Sequence, residues 1–209
     1  MLVKDVMHSP VLTVPEGLSL QEAHDLMYAN RVRHLPVLRE GRLVGVITDR
    51  DVRLACSPLA RGTVASPDTP VAQVMSQPVI TADPLDPVEE AARTMRTRKI
   101  GCLPVLENDQ LTGIVTGIDL LDALLKLTGV EKPSGRLELR LPDEPGQLAL
   151  LTGYLADQGV NVHSLLTYPE DALTVRSVLR VNTQNTRALA EELRQQGLEV
   201  LWPPEKPWV

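Results

Sequence analysis

Two short stretches carry the same functional groups at the same spacing. Gly45-Val46-Ile47-Thr48-Asp49-Arg50-Asp51 and Gly113-Ile114-Val115-Thr116-Gly117-Ile118-Asp119 each place a glycine and two β-branched residues ahead of Thr-x-x-Asp. The apolar run predicts a strand end, and Thr-x-x-Asp a helix start. Two chemistries fit. In one, Thr and Asp cap the helix by satisfying its free backbone N–H groups. In the other, the carboxylate accepts two hydrogen bonds from a ribose diol while the Thr hydroxyl and free N–H groups hold phosphate. Asp49-Arg50 in the first stretch adds a phosphate contact that Gly117-Ile118 lacks. A single Thr-x-x-Asp favours capping; its duplication beside a second repeated motif favours a ligand.

That second motif is Leu35-Pro36-Val37-Leu38, which recurs as Leu103-Pro104-Val105-Leu106. Val6-Met7, Pro10-Val11 and Thr13 recur as Val74-Met75, Pro78-Val79 and Thr81 at the same offset of 68 residues. With about a third of the aligned positions identical and no gap, the first part of the chain reads as a duplication. Each copy predicts the same elements: a strand over Val11–Val14, a helix with Leu20, Ala23 and Met27 on one face, two strands around Leu35–Leu38 and Leu43–Thr48, and a second helix from Asp51 or Asp119. Arg39-Glu40-Gly41-Arg42 predicts the hairpin turn. In the second copy Asp86 is the expected N-cap and Pro87 the first helical residue. Ser57–Pro70 and Val130–Gly135 read as loops. The boundaries are then 1–60 for the first copy and 71–129 for the second.

These motifs resemble a tandem pair of cystathionine-β-synthase-type (CBS) domains. Val-Met-x-x-x-Pro-Val-x-Thr, Arg-His-Leu-Pro-Val-Leu and Gly-Val-Ile-Thr-Asp-Arg-Asp carry the likeness over residues 1 to about 128. The resemblance implies a pseudo-twofold module with two clefts that bind AMP, ATP or a related adenosine compound. It also implies crossed sites. Thr48, Arg50 and Asp51 would face Asp86, Gly101, Cys102, Leu103 and Pro104 of the second copy. Thr116 and Asp119 would face Leu18, Arg33, His34, Leu35 and Pro36 of the first. The differences between the copies predict unequal clefts.

Residues 136–202 have another rhythm. Leu137, Leu139 and Leu141 alternate as in a half-buried strand, and Leu148, Leu151 and Leu155 line a helix ending near Gly159. Strands over 160–167 and 173–181, a helix over 183–196 and a last strand over 198–202 complete a β-α-β-β-α-β order, a ferredoxin-like sheet with helices on one face. Residues 203–209 form a proline-rich tail. Asp143-Glu144-Pro145-Gly146-Gln147-Leu148 and Gly159-Val160-Asn161-Val162 resemble the turn and second-strand entry of an ACT domain. That likeness implies an α/β (α+β) fold class overall and an amino acid bound near Asp143, Gly146, Gln147 and Asn161. CBS repeats joined to one ACT domain resemble the acetoin-utilisation B-type proteins.

Composition narrows the function. The 209-residue chain has a net charge of −6, 2% aromatics and no Phe, which argues against nucleic acid as a partner. Cys56 and Cys102 form no CxxC pair and read as two buried free thiols, with a structural disulfide as the alternative. The four histidines, His8, His24, His34 and His163, make no metal-ligand pattern, and neither a nucleophile elbow nor a Walker loop occurs. With no leader and no apolar window of about 18 residues, the expected protein is cytoplasmic and free of the membrane. It is expected to be a regulatory homodimer that binds an adenosine nucleotide, and an amino acid at the ACT domain, to modulate a metabolic enzyme. A nucleotide-converting enzyme and a ligand-free adaptor are the alternatives.

Overall fold

A computed structural model describes residues 1–58 and 64–205. The end of the first copy at residues 59–60, part of the 57–70 loop and the last residues of the proline-rich tail lie outside them. The chain divides into two compact units, 1–123 and 124–209.

Each copy in the first unit forms a helix, an antiparallel hairpin and a second helix. In the first copy these are α1 (Leu20–Asn30), β2 (His34–Arg39), β3 (Arg42–Thr48) and α2 (Asp49–Ala55), with the two-residue β1 (Val14–Pro15) parallel to β2. In the second they are α3 (Val88–Arg98), β4 (Cys102–Glu107), β5 (Gln110–Thr116) and α4 (Gly117–Thr128). α1 starts where Ser19 and Glu22 form a reciprocal capping box and buries Leu20, Ala23 and Met27. The β2–β3 turn puts Glu40 and Gly41 at φ 50° and 78°. Asn108 and Asp109 repeat this at 50° and 63°, matching the hairpin turns that suit right-twisted strands.

Three expectations shift. The first strand covers Val14–Pro15 rather than Val11–Val14. Pro87, not Asp86, is the N-cap of α3, because its ψ of 140° is extended; Asp86 instead accepts a hydrogen bond from the Asp83 N–H at 2.8 Å. α2 begins at Asp49, so Asp51 is its third residue.

The two copies exchange their opening segments. Val3 is buried with Ala91, Leu103, Val105 and Val115 of the second copy. Val71 and Met75 are buried with Leu20, Leu35 and Ile47 of the first. This explains the duplicated glycines of the β3 and β5 strands. A Cβ at Gly45 would stand 2.2 Å from Met75 Sδ, and one at Gly113 would stand 2.4 Å from Met7 Sδ. Between the hairpins, Val46, Cys102 and Ile114 form a small apolar seam.

The second unit carries the four-stranded antiparallel sheet β7-β8-β6-β9, built from β6 (Gly135–Pro142), β7 (Val162–Pro169), β8 (Thr174–Val181) and β9 (Glu199–Trp202). α5 (Gln147–Asp157) and α6 (Thr186–Gln195) join the strands in the β-α-β-β-α-β order. Leu137, Leu139, Leu141, Leu179 and Val181 point to one face and are buried with Leu151 and Leu155 of α5 and Leu189 and Leu193 of α6. β7 starts two residues later than the sequence pattern indicates and ends at Pro169, which moves the hairpin turn to Glu170–Leu173.

Candidate functional site

Thr48 and Asp51 close a reciprocal box at the head of α2. The Thr48 N–H and hydroxyl both donate to Asp51 Oδ2, at 3.1 and 2.7 Å, and the Asp51 N–H donates to Thr48 Oγ1 at 3.1 Å. Thr116 and Asp119 do the same at the head of α4, with the N–H and hydroxyl of Thr116 each 2.7 Å from Asp119 Oδ2. Capping and ligand binding are therefore compatible. Each cap uses only Oδ2; Oδ1 of Asp119 meets the His8 ring at 2.8 Å, while among the described residues Oδ1 of Asp51 has no hydrogen-bond donor.

Both carboxylates lie on clefts that cross between the copies. The Asp51 cleft, ≈ 670 Å³, is lined by Thr48, Asp49, Arg50 and Arg53 on one side and by Lys99, Gly101, Cys102 and Pro104 on the other, with Ser76, Pro78 and Val79 between. The Asp119 cleft, ≈ 700 Å³, is lined by Thr116, Gly117 and Ile118, by Arg31, Arg33, His34 and Gly101, and by His8, Pro10, Val11 and Leu12. Either is large enough for a nucleoside-sized ligand.

Of the residues expected to line these clefts, five face elsewhere. Leu35 and Leu103 are 0% and 1% exposed and point into the copy cores, because they alternate with the prolines along β2 and β4. Pro36 is buried and does not line the Asp119 cleft, although its counterpart Pro104 lines the other. Leu18 packs on the first core, and its carbonyl accepts from the Val71 N–H at 2.8 Å. Asp86, its counterpart, turns its carboxylate to Asp83 and its carbonyl to the Val3 N–H at 2.9 Å. The exchanged opening segments draw both of these positions away from the clefts. Sequence reasoning missed Ser76, Pro78 and Val79 as lining residues, while Arg31 and Lys99, which differ between the copies, line the Asp119 and Asp51 clefts respectively. It also missed His8, whose Nε2 lies 2.8 Å from Asp119 Oδ1. The signal was available: His8 and Ser76 directly follow the duplicated Val-Met.

The charges differ between the clefts. Arg33, Arg50, Arg53 and Lys99 line the Asp51 cleft, although Arg53 pairs with Asp49 at 2.6 Å. At the head of α4 Gly117 and Ile118 replace Asp49 and Arg50, and the cations come from Arg31 and Arg33 on the opposite wall. His34 lines both clefts. Gly101 makes room for it: a Cβ there would lie 2.6 Å from His34 Nε2. Burial lowers the pKa of His34, and the nearby Asp51 carboxylate opposes that shift. Burial pushes the Cys102 thiol up to about 12, so it stays protonated and apolar in the seam. Cys56 and Cys102 are both free; Cys102 is buried and Cys56 half-buried.

In the second unit, Gly146 caps α5 at φ 95° with open space where a Cβ would stand, and Gln147 opens the helix. The Asp143 N–H donates to Leu173 O at 2.8 Å, and the Asn161 N–H donates to Asn182 Oδ1 at 3.0 Å. Among the described residues no hydrogen bond links any two of these four positions. Nor does any cluster there suit a metal ion, and no helix is long and apolar enough to cross a membrane.

The CBS domain family profile matches residues 3–57 and 71–126, and the ACT domain profile matches 135–197. The CBS domain-containing protein YhcV of Bacillus subtilis is 36% identical over 118 residues, 56% of this chain and 81% of that protein. A CBS domain-containing protein of Dictyostelium discoideum is 37% identical over 142 residues, 60% of this chain and 92% of that one. A homoserine O-acetyltransferase of Methanohalobium evestigatum is 32% identical over 120 residues, but these are only 23% of its length. Among solved structures, the CBS domain pair of protein MJ0100, in complex with 5′-methylthioadenosine and S-adenosyl-L-methionine, is 30% identical with a TM-score of 0.54. It covers 63% of this chain and 98% of that one. AcuB from Vibrio cholerae, named for acetoin utilization, is 30% identical with a TM-score of 0.55 over 63% of this chain and 96% of its own. The crossed clefts, the duplicated Thr-x-x-Asp and these likenesses converge: this chain belongs to the CBS-domain family, with two CBS domains followed by an ACT domain.

Proposed function

We propose that this protein is a ligand-responsive regulator, not an enzyme, that binds adenosine nucleotides in the two clefts of its CBS pair. One observation carries this reading. Each Thr-x-x-Asp carboxylate caps its helix through one oxygen only and lines a cleft whose far wall comes from the other copy. Asp51 or Asp119 accepts the ribose diol. Pro104 and the Gly101–Cys102 backbone meet the base in one cleft, and the His34 strand start does so in the other. Arg50 and Lys99 suit phosphate in the Asp51 cleft. The adenosine ligands of the MJ0100 pair support the ligand class. Calorimetry on the full chain with AMP, ADP, ATP, NAD, S-adenosylmethionine and 5′-methylthioadenosine should show binding of at least one. Asp51→Ala and Asp119→Ala should weaken different sites. No heat from any of the six would overturn the reading.

The ACT unit adds an amino-acid input at Asp143, Gly146, Gln147 and Asn161, which the open approach over Gly146 favours. The protein acts as a homodimer on a metabolic enzyme. α4 supports the dimer, since it exposes Ile118, Leu121, Leu124, Leu125 and Leu127, a continuous apolar strip that water covers poorly. Leu121→Arg with Leu125→Arg should convert a dimer to a monomer in light scattering at micromolar concentration. A wild-type mass already monomeric would refute the assembly.

A further inference from the structure

His8 separates two clefts that are otherwise built alike. Its N–H donates to Ile114 O at 2.9 Å, and its carbonyl accepts from the Ile114 N–H at 3.1 Å. Ser76 makes the same pair of bonds with Val46, at 2.9 and 3.2 Å. The two residues therefore stand in equivalent register beside equivalent carboxylates. What differs is reach. The imidazole of His8 bonds Asp119 Oδ1 at 2.8 Å, while among the described residues nothing donates to Asp51 Oδ1. With its other oxygen already in the Thr116 cap, Asp119 is engaged at both ends and only 6% exposed; Asp51 is half-buried. The His8 side chain is itself 71% exposed, so solvent offers it room to swing out.

We propose that His8 is a specificity-determining residue, an internal competitor for the ribose position of the Asp119 cleft. The proposal rests on the reading of these clefts as adenosine sites and deepens it. A ribose diol entering the Asp51 cleft finds an open carboxylate oxygen. One entering the Asp119 cleft must first displace the ring or share its acceptor. The clefts therefore fill in order, Asp51 first, and a single side chain contributes to the gap. Because the displaced bond is a part-buried hydrogen bond whose imidazole can regain water outside the cleft, His8 accounts for about a three- to tenfold difference in affinity.

The test uses the full chain titrated with AMP. Wild type should show a stronger and a weaker class of site. His8→Ser, which installs the residue used by the other copy, should tighten the weaker class about three- to tenfold and leave the stronger unchanged. Ser76→His should weaken the stronger class by a similar factor. A His8→Ser variant whose weaker class is unchanged or looser would overturn the proposal, because His8 would then be idle or a ligand contact. A second readout is independent of nucleotide. The ring nitrogen resonances of His8 should move in Asp119→Asn, and should move again in wild type on AMP saturation. Ring resonances indifferent to Asp119→Asn sink the proposal even if AMP binds both clefts. If neither AMP nor any of the other five adenosine compounds binds wild type or His8→Ser, the adenosine reading falls and this inference with it.

Discussion

The CBS unit and the ACT unit place their candidate site residues in opposite ways. In the first, each carboxylate at the head of α2 or α4 meets a wall supplied by the other copy, and the cleft exists only because the copies face each other. In the second, Asp143, Gly146 and Gln147 are neighbours in one turn, Asn161 lies at the entry to β7, and among the described residues no hydrogen bond joins any two of them. A duplicated sequence contains its own comparison, since each position has a counterpart 68 residues away in the same environment. A single-copy module offers no such reference. Its motif shows where the backbone turns but says little about what the turn receives.

The largest effect should show whether the two units are energetically separate. Leu139 is 0% exposed at the centre of the ACT core. Leu139→Ala should cost the ACT unit about 2–5 kcal/mol through lost burial and the cavity left behind. Scanning calorimetry of the full chain should show one transition falling and the other staying in place, with AMP affinity unchanged. If both transitions fall together, or AMP affinity drops, the units are coupled and the contrast between them fails.

Next in size is the contrast between the two carboxylates. Asp51→Asn should weaken AMP binding at the stronger class by about 10- to 100-fold, the range for losing hydrogen bonds to a charged group. Asp119→Asn should have a smaller effect on the weaker class, because His8 already competes there. Equal losses at the two classes would show that the clefts are equivalent in spite of their different linings.

A third effect belongs to the ACT unit alone. On its sheet, Glu170 accepts from Arg140 Nε at 2.6 Å and Nη2 at 2.9 Å, and from Arg176 Nη2 at 2.6 Å. These hydrogen bonds, led by those from Arg140, hold its carboxyl at about 2, against an ordinary 4.5. A carboxylate whose folded pKa is depressed stabilises the fold above its unfolded value. That contribution is lost as pH falls from 4.5 toward 2. Glu170→Gln should therefore lower the ACT melting temperature at about pH 5, and the gap from wild type should narrow steadily as pH falls toward about 2. A gap that persists at the lower pH would assign the effect to packing instead of charge.

The sequence made much of this visible. Leu20, Ala23 and Met27 on α1, and the alternating leucines of β6, fixed the helix and strand faces because burial follows the 3.6- and 2-residue periods. Thr48, Asp51, Thr116 and Asp119 stood out because they recur. Leu18, Leu35, Pro36, Asp86 and Leu103 do not line the clefts in this structure. A motif says that a stretch matters but not which side of a strand or turn faces the ligand, and Leu35 and Leu103 alternate inward. The exchange of Val3–Met7 and Val71–Met75 between the copies was equally hidden, since a perfect repeat reads the same whether its segments pack at home or across. His8 carried a signal, its difference from Ser76, but one histidine in a loop has no reach until the β5 register places it over Asp119.

The smallest effect concerns the wall that both clefts share. His34 lies at the start of β2 with its ring against Gly101, while its counterpart in the second copy is the buried thiol Cys102. Burial disfavours the imidazolium and lowers the pKa of His34 below 6.5; Asp51 works against that shift and Arg33 adds to it. In the window between the folded value and 6.5 the unfolded chain takes up a proton that the folded chain refuses, so stability falls as pH drops through 6.5. This sign is opposite to that of a histidine held charged by a partner. His34→Gln, which cannot titrate, should therefore make the melting temperature of the CBS unit less sensitive to acidification from about pH 7.5 to 5.5, while the ACT transition keeps its own pH dependence. A ligand that closes the Asp51 cleft buries the ring further and should steepen the wild-type response but not that of the variant. If wild type and His34→Gln lose the same number of degrees over this range, with and without AMP, the proton balance of the CBS unit lies elsewhere and the asymmetry between His34 and Cys102 is one of shape alone.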